Sequence, residues 1–306
     1  MSSFGGVQGR PAPRVAAMSY LDEPFIGSEA LERGLVRKYD LRTRFTALYP
    51  DIYIPNSLQP SLRQRATAAW LWTHRLGIIA GLTASALHGA KWVDDDAPIE
   101  LIWPNSRTPP GLRTFDMRLR PGESFRTATF RMTTPARTAF DLGRRKPLGE
   151  AVARLDALGN ATGLSAADIH AVARQHPGKR GLRLLERALD LYDPGAASPK
   201  ETWVRLLVIR AGYPPPQTQI PVVSPDGRRK YYLDMGWPEL MVALEYDGEH
   251  HRLDPVQYRY DVIRSEDLVA LGWSRVRAVR GNSAADILDR LAHAWRSRLR
   301  TDREIS

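Results

Sequence analysis

Apolar positions along this chain repeat in two ways, at helical spacing in some stretches and at every second residue in short runs elsewhere. Residues 1–20 show neither period and are rich in Gly, Pro and Ser, so a disordered tail is expected there, with Met18 a second candidate start. From Ser28 a short capped helix runs to Gly34, a second helix carries Arg37, Lys38 and Arg42, and Asp51-Ile-Tyr-Ile-Pro55 is extended. Two short helices and a hairpin-like strand over 21–60 are the skeleton of a winged helix-turn-helix. Its second helix would bring Arg37, Lys38, Arg42 and Arg44 to a DNA major groove. Two surface helices with solvated arginines would give the same pattern.

Between 61 and 197 helices mix with short strands such as Pro98-Ile-Glu-Leu-Ile-Trp103, giving a mixed α/β region that ends in Ala/Leu/Arg-rich helices. Thr134-Pro135 is a helix start, with a hydroxyl at the cap and proline at the first helical position. Asp94-Asp95-Asp96 suits a solvated loop, because consecutive acids point in different directions. His88 is a helix-end residue, and Pro177-Gly-Lys-Arg-Gly181 lacks the spacing and preceding strand of a phosphate loop. Asp193-Pro-Gly-Ala-Ala197 is a linker.

From 198 to 306 the order predicted is α, β-meander, α, β, α. Ser198-Pro199-Lys200-Glu201 opens a helix with a capping box, and Trp203, Val204, Leu206, Leu207 and Val208 are its expected buried face. After Gly212 come strands at Ile220-Pro-Val-Val223, Arg229-Lys-Tyr-Tyr-Leu-Asp234 and Met241-Val-Ala-Leu-Glu-Tyr-Asp247. A helix begins near Tyr258 and ends near Gly272, Trp273-Ser-Arg-Val-Arg-Ala-Val279 is a strand, and a helix from Ala284 to Arg300 closes the region. The fold class is thus α+β or α/β in several parts. Trp237 and Trp273 are expected in the core.

Charge changes this picture modestly. The net charge is +10 with a pI near 10.0, which suits a polyanion such as DNA. Lys and Arg outnumber Asp and Glu by 27 to 19 in the first 197 residues and by 17 to 15 after them, so +8 of the +10 lies upstream. There is no cysteine, which excludes disulfides, thiolate nucleophiles and cysteine-bound zinc. No run is long enough for a membrane span and the start lacks a secretory h-region, so no membrane association and a cytoplasmic location are expected.

The candidate chemistry is acidic. Period two puts Glu245 and Asp247 on one face of their strand, and the short connection after Asp234 brings a third carboxylate across the ladder. Hard oxygen donors in this arrangement suit Mg²⁺ or Mn²⁺, which would polarise a scissile phosphate and activate a water. Gly248 then lets the chain turn, and the imidazoles of His250 and His251 can move protons near neutral pH. Asp261 and Arg264, three apart on a helix, also fit a surface ion pair.

Ser198-Pro-Lys-Glu201, Asp234-Met-Gly-Trp-Pro238, Glu245-Tyr-Asp-Gly248 with His251-Arg252, Asp261 to Arg264, and Gly272-Trp273 together resemble the very-short-patch-repair (Vsr) endonuclease-like branch of the PD-(D/E)XK superfamily. The resemblance covers Ser198 to about Val279. It implies a restriction-endonuclease-like fold that hydrolyses DNA phosphodiesters, with Asp234, Glu245 and Asp247 at the metal and an acid at Glu201 beside it, a residue the capping box explains equally well. It also favours His251 over His250. The superfamily pattern has lysine where Asp247 stands, and His251, Arg252 or Arg264 are the basic groups on offer instead. Upstream, Ser85-Ala-Leu-His-Gly-Ala-Lys-Trp92 and Thr134-Pro-Ala-Arg-Thr-Ala-Phe-Asp-Leu142 resemble AbiEi-type antitoxin proteins. That implies an alternative: a non-catalytic DNA-binding regulator or antitoxin with a cognate toxin partner and a degenerate nuclease fold.

Overall fold

The computed structural model describes residues 21–104, 107–247 and 255–305. The tail over 1–20 and the segment holding Gly248, His250, His251 and Arg252 lie outside the described residues. Among the described residues the fold is mixed α+β with three sheets, and it separates into two compact units, 21–87 with 93–134 and 88–92 with 135–305. No helix among the described residues is long and apolar enough to cross a membrane.

In the first unit β1 (Phe25–Ile26), α1 (Gly27–Glu32) and α2 (Lys38–Thr43) lead into the hairpin of β2 (Phe45–Tyr49) and β3 (Ile52–Pro55), with sheet order β1-β3-β2. The hairpin turns at Asp51, whose φ of 61° is left-handed, a conformation that short polar side chains tolerate. The same side chain holds the start of α1, accepting from the Ser28 N–H at 2.9 Å and the Ser28 hydroxyl at 2.5 Å. Phe25, Ala30, Val36, Leu41 and Phe45 form the small core beneath. Arg37, Lys38, Arg42 and Arg44 are all exposed, and Arg37 is also tied to Asp40 at 3.1 Å across the first turn of α2.

The unit continues through α3 (Leu62–Trp72), β4 (Ile78–Ile79), α4 (Gly81–Leu87), β5 (Ile99–Ile102), β6 (Leu112–Phe115), β7 (Ser124–Arg126) and β8 (Arg131–Thr133). Its five-stranded sheet has the order β6-β5-β4-β8-β7. Only β5 announces itself as an apolar run. Its neighbours are too short to show a period, and they pair because Ile79, Leu101 and Met132 share one core.

In the second unit α5 (Pro135–Arg145), α6 (Leu148–Thr162), α7 (Ala166–Gln175) and α8 (Leu182–Leu189) pack around Phe140, Val152, Leu155, Leu158 and Ile169. Next comes α9 (Pro199–Arg210), whose buried side corrects the sequence expectation: Trp203 is 41% exposed, while Thr202 and Arg205 are buried. The reason is Asp156 on α6. Its carboxylate accepts from the Thr202 hydroxyl and from Arg205 Nη2, both at 2.8 Å, and from the Asp193 N–H at 2.9 Å. A buried charge needs such partners, and they displace the tryptophan from the interior face.

A four-stranded sheet completes the unit in the order β12-β11-β10-β9. Its strands are β9 (Gln217–Val223), β10 (Lys230–Trp237), β11 (Val242–Asp247) and β12 (Ser274–Val279), flanked by α9, α10 (Pro255–Ala270) and α11 (Ala284–Ile305). One face packs Val204 and Val208 of α9 with Ile287 and Leu291 of α11, and the other packs Leu268 of α10 with Trp273. Trp237 and Trp273 are buried, as expected. β10 runs past Asp234 to Trp237, so Asp234 sits inside a strand rather than at its end.

Candidate functional site

The site lies where β10 and β11 part. Met235, Gly236 and Trp237 pair with Leu244, Ala243 and Val242, and there the paired register stops. Before this point β10 stays with β9 down to Lys230, while β11 continues beside β12 to Asp247. At the fork a side chain replaces the ladder: the Tyr246 N–H donates to Asp234 Oδ2 at 2.8 Å.

The strand also changes faces here. Met235 and Trp237 pack in the cluster of Val204 and Val208, yet Tyr231 and Leu233, which a regular pleat would put on that same face, pack with Ala243 and Leu268. Gln219 stands opposite Asp234 between the pairs Leu233–Ile220 and Met235–Thr218, and its φ of 48° is left-handed. Such an irregularity re-aims the side chains around it, as bulges do near functional sites.

The parting strands leave a cleft of about 360 Å³ lined by Asp234, Glu245, Asp247, Arg264, Arg275 and Arg277. Glu245 is buried and doubly held. Arg264 Nη2 donates to its Oε1 and also to the Tyr232 carbonyl at 2.9 Å, and Arg275 Nη1 donates to its Oε2 at 3.3 Å. Arg277 pairs with Asp247 Oδ2. β12 runs parallel to β11, so period two turns Arg275 and Arg277 toward the acids while Val276 and Ala278 enter the core.

Burial raises the Asp234 carboxyl to about 7; the negative charges of Glu201 and Glu245 add to the rise, and the Tyr246 N–H and Arg264 oppose it. Burial likewise raises Glu201, against the bonds it accepts from the Ala197 N–H at 2.8 Å and the Ser198 hydroxyl at 2.9 Å. Glu201 is therefore a helix cap whose charge also reaches Asp234. Burial lowers the Arg275 guanidinium, countered by Glu245.

Of the residues singled out from the sequence, Asp234, Glu245, Asp247 and Arg264 meet in this cleft, and Glu201 stands near enough to act on Asp234 electrostatically. His251 falls outside the described residues. Arg37, Lys38, Arg42 and Arg44 belong to the other unit. Sequence reasoning overlooked Arg275 and Arg277, although their alternation with Val276 and Ala278 was the available signal.

Whether these groups suit a divalent ion turns on Asp234. Its Oδ1 accepts no hydrogen bond among the described residues, and two further carboxylates lie close enough to raise its pKa. A half-buried, repelled carboxylate whose second oxygen accepts nothing among the described residues is the donor chemistry that a hard cation neutralises. Among the described residues no group of three His, Cys, Asp or Glu side chains already surrounds one point. Arginines hold Glu245 and Asp247 instead. Asp234 is the donor that fits as it stands, and Glu245 would have to exchange an arginine for the ion.

No family model matches this chain. Two curated proteins of Mycobacterium tuberculosis, Uncharacterized protein MT2308 and Uncharacterized protein Rv2248, are each 28% identical to it over 198 residues, covering 64% of this chain and 72% of the relative.

Proposed function

We propose that the second unit is a metal-dependent endonuclease domain that hydrolyses DNA phosphodiesters, and that the first unit binds duplex DNA as a winged helix-turn-helix. The observation that carries the nuclease reading is the convergence of Asp234 and Glu245 at a strand fork rimmed by Arg264, Arg275 and Arg277. Mg²⁺ or Mn²⁺ held by Asp234 and Glu245, with Asp247 next on the same strand face, would supply Lewis-acid polarisation and a water of lowered pKa. The three guanidiniums bind and orient a phosphate. Arg keeps its proton, so these groups cannot act as the base; they offset charge that builds on the phosphate oxygens. That division of labour accommodates Asp247 in the place of a lysine.

Incubating the full chain with supercoiled plasmid in Mg²⁺ or Mn²⁺ tests this reading. Nicked circles are expected from the wild type and none from Glu245→Gln or in EDTA. Undiminished nicking by Glu245→Gln would overturn the site assignment.

One observation favours a second reading, a non-catalytic DNA-binding regulator or antitoxin: Glu245 and Asp247 are already paired with arginines. Wild-type protein that binds DNA but nicks none in either metal would establish it over the first.

For the first unit, exposed Lys38, Arg42 and Arg44 are the phosphate-facing cations of this proposal. Replacing all three with alanine is expected to weaken duplex binding alike across sequences and to flatten the dependence of log K on log salt by about one for each phosphate no longer neutralised. An unchanged salt slope would remove α2 from the interface.

A further inference from the structure

The cleft contains two aromatic surfaces that phosphodiester hydrolysis by itself does not require. Tyr232 of β10 is 49% exposed and Tyr260 of α10 is 41% exposed, and both line the space beside Asp234 and Arg264. Single exposed tyrosines are ordinary; two lining one polar cleft are less so. Tyr260 is braced from below. Its ring meets the buried Tyr231 ring edge-on, with centroids 5.9 Å apart at 66°, and the Tyr231 hydroxyl donates to Asp267 Oδ2 at 2.5 Å. Lys230 Nζ lies over one face of the Tyr232 ring, 5.1 Å from its centroid, and leaves the other face for stacking.

A ligand that matches flat π faces and closely spaced cations is itself flat, aromatic and anionic, which describes a nucleotide. A paired base inside a duplex has both faces covered by its neighbours, so a tyrosine can stack only on a base that has left the helix. The cleft, at about 360 Å³, has room for one nucleotide.

We propose that the cleft takes an unpaired nucleotide, with Tyr232 and Tyr260 stacking on the base next to the scissile phosphate. The substrate class is then single-stranded or locally opened DNA. This inference rests on the nuclease reading above and narrows it.

The test measures binding of the full chain in EDTA, which separates recognition from cleavage. The probes are fluorescently labelled oligothymidylate, an abasic strand of equal length, and a duplex. Oligothymidylate is expected to bind more tightly than the abasic strand. Tyr232→Ala and Tyr260→Ala should each weaken oligothymidylate binding about tenfold, leave abasic-strand and duplex binding unchanged, and be rescued by phenylalanine. Thermal unfolding matching that of the wild type shows that the variants are folded. Equal affinity of the wild type for the two single strands, or alanine variants that bind oligothymidylate as wild type does, would overturn the proposal. If metal-dependent nicking persists alongside that result, only the stacking subsite fails. If the wild type neither binds single strands nor nicks plasmid, the nuclease reading fails with it.

Discussion

Asp234→Asn is expected to lower metal-dependent nicking more than about 100-fold, beyond the usual cost of losing a group that merely supports a metal ligand, while making the metal-free protein more stable at alkaline pH. Asparagine keeps an oxygen for the Tyr246 N–H and removes only the charge. The sign follows from the raised pKa. Between the ordinary carboxylate value and about 7 the folded state holds a proton that the unfolded state has released, so this group's contribution to stability falls as pH rises through that window. Each pKa unit corresponds to about 1.4 kcal/mol, and with the shift shared among neighbouring charges and partial solvent access the variant should gain about 2 kcal/mol at pH 8. The gain should vanish near pH 4. Denaturant unfolding at the two pH values, with EDTA present, measures it; a variant less stable than wild type at pH 8 would contradict the burial argument.

The second large effect is structural. Asp156→Ala is expected to cost about 3–5 kcal/mol, because Arg205 would remain buried without the carboxylate it faces. Arg205 Nε already has no hydrogen-bond partner, and the only other acid near it, Asp193, is 4.0 Å away among the described residues. Replacing both partners with apolar residues, Asp156→Leu with Arg205→Met, should recover most of that loss, since desolvation of the pair is then avoided. Chemical denaturation of the single and double variants decides the matter. A single variant within about 1 kcal/mol of wild type would show that the pair contributes no more than a surface bridge.

The sequence made the acids legible but not their setting. Glu245 and Asp247 stand out because alternation carries two carboxylates off the end of an apolar strand. Asp234 could be picked out as a third acid, yet nothing local says that its strand continues, switches faces and parts from its neighbour there. That switch depends on Gln219 across the ladder and on which helix covers each face. The buried pairing of Thr202 and Arg205 was equally hidden, because its partner Asp156 lies more than forty positions earlier in the chain. Helical spacing alone therefore assigned Trp203 to the interior. The five-stranded sheet was mostly invisible for a simpler reason: its strands of two to four residues are too short to display a period. In the first unit, two short helices followed by an extended segment were legible because Asp51 and Gly34 punctuate them.

Asp234 is also a wedge. Its carboxylate claims the amide that would otherwise be available to the next rung between β10 and β11, so the strands are held apart by the same group that supplies the acid. An apolar residue at that position would leave the amide free for backbone pairing and let the sheet zip one step further, narrowing the opening. Three rungs join the halves of this sheet, β9 with β10 and β11 with β12. The Asp234 carboxylate thus helps hold the mouth open together with the face switch opposite Gln219. A charge-neutral replacement that still accepts the Tyr246 N–H would keep the opening while removing the acid.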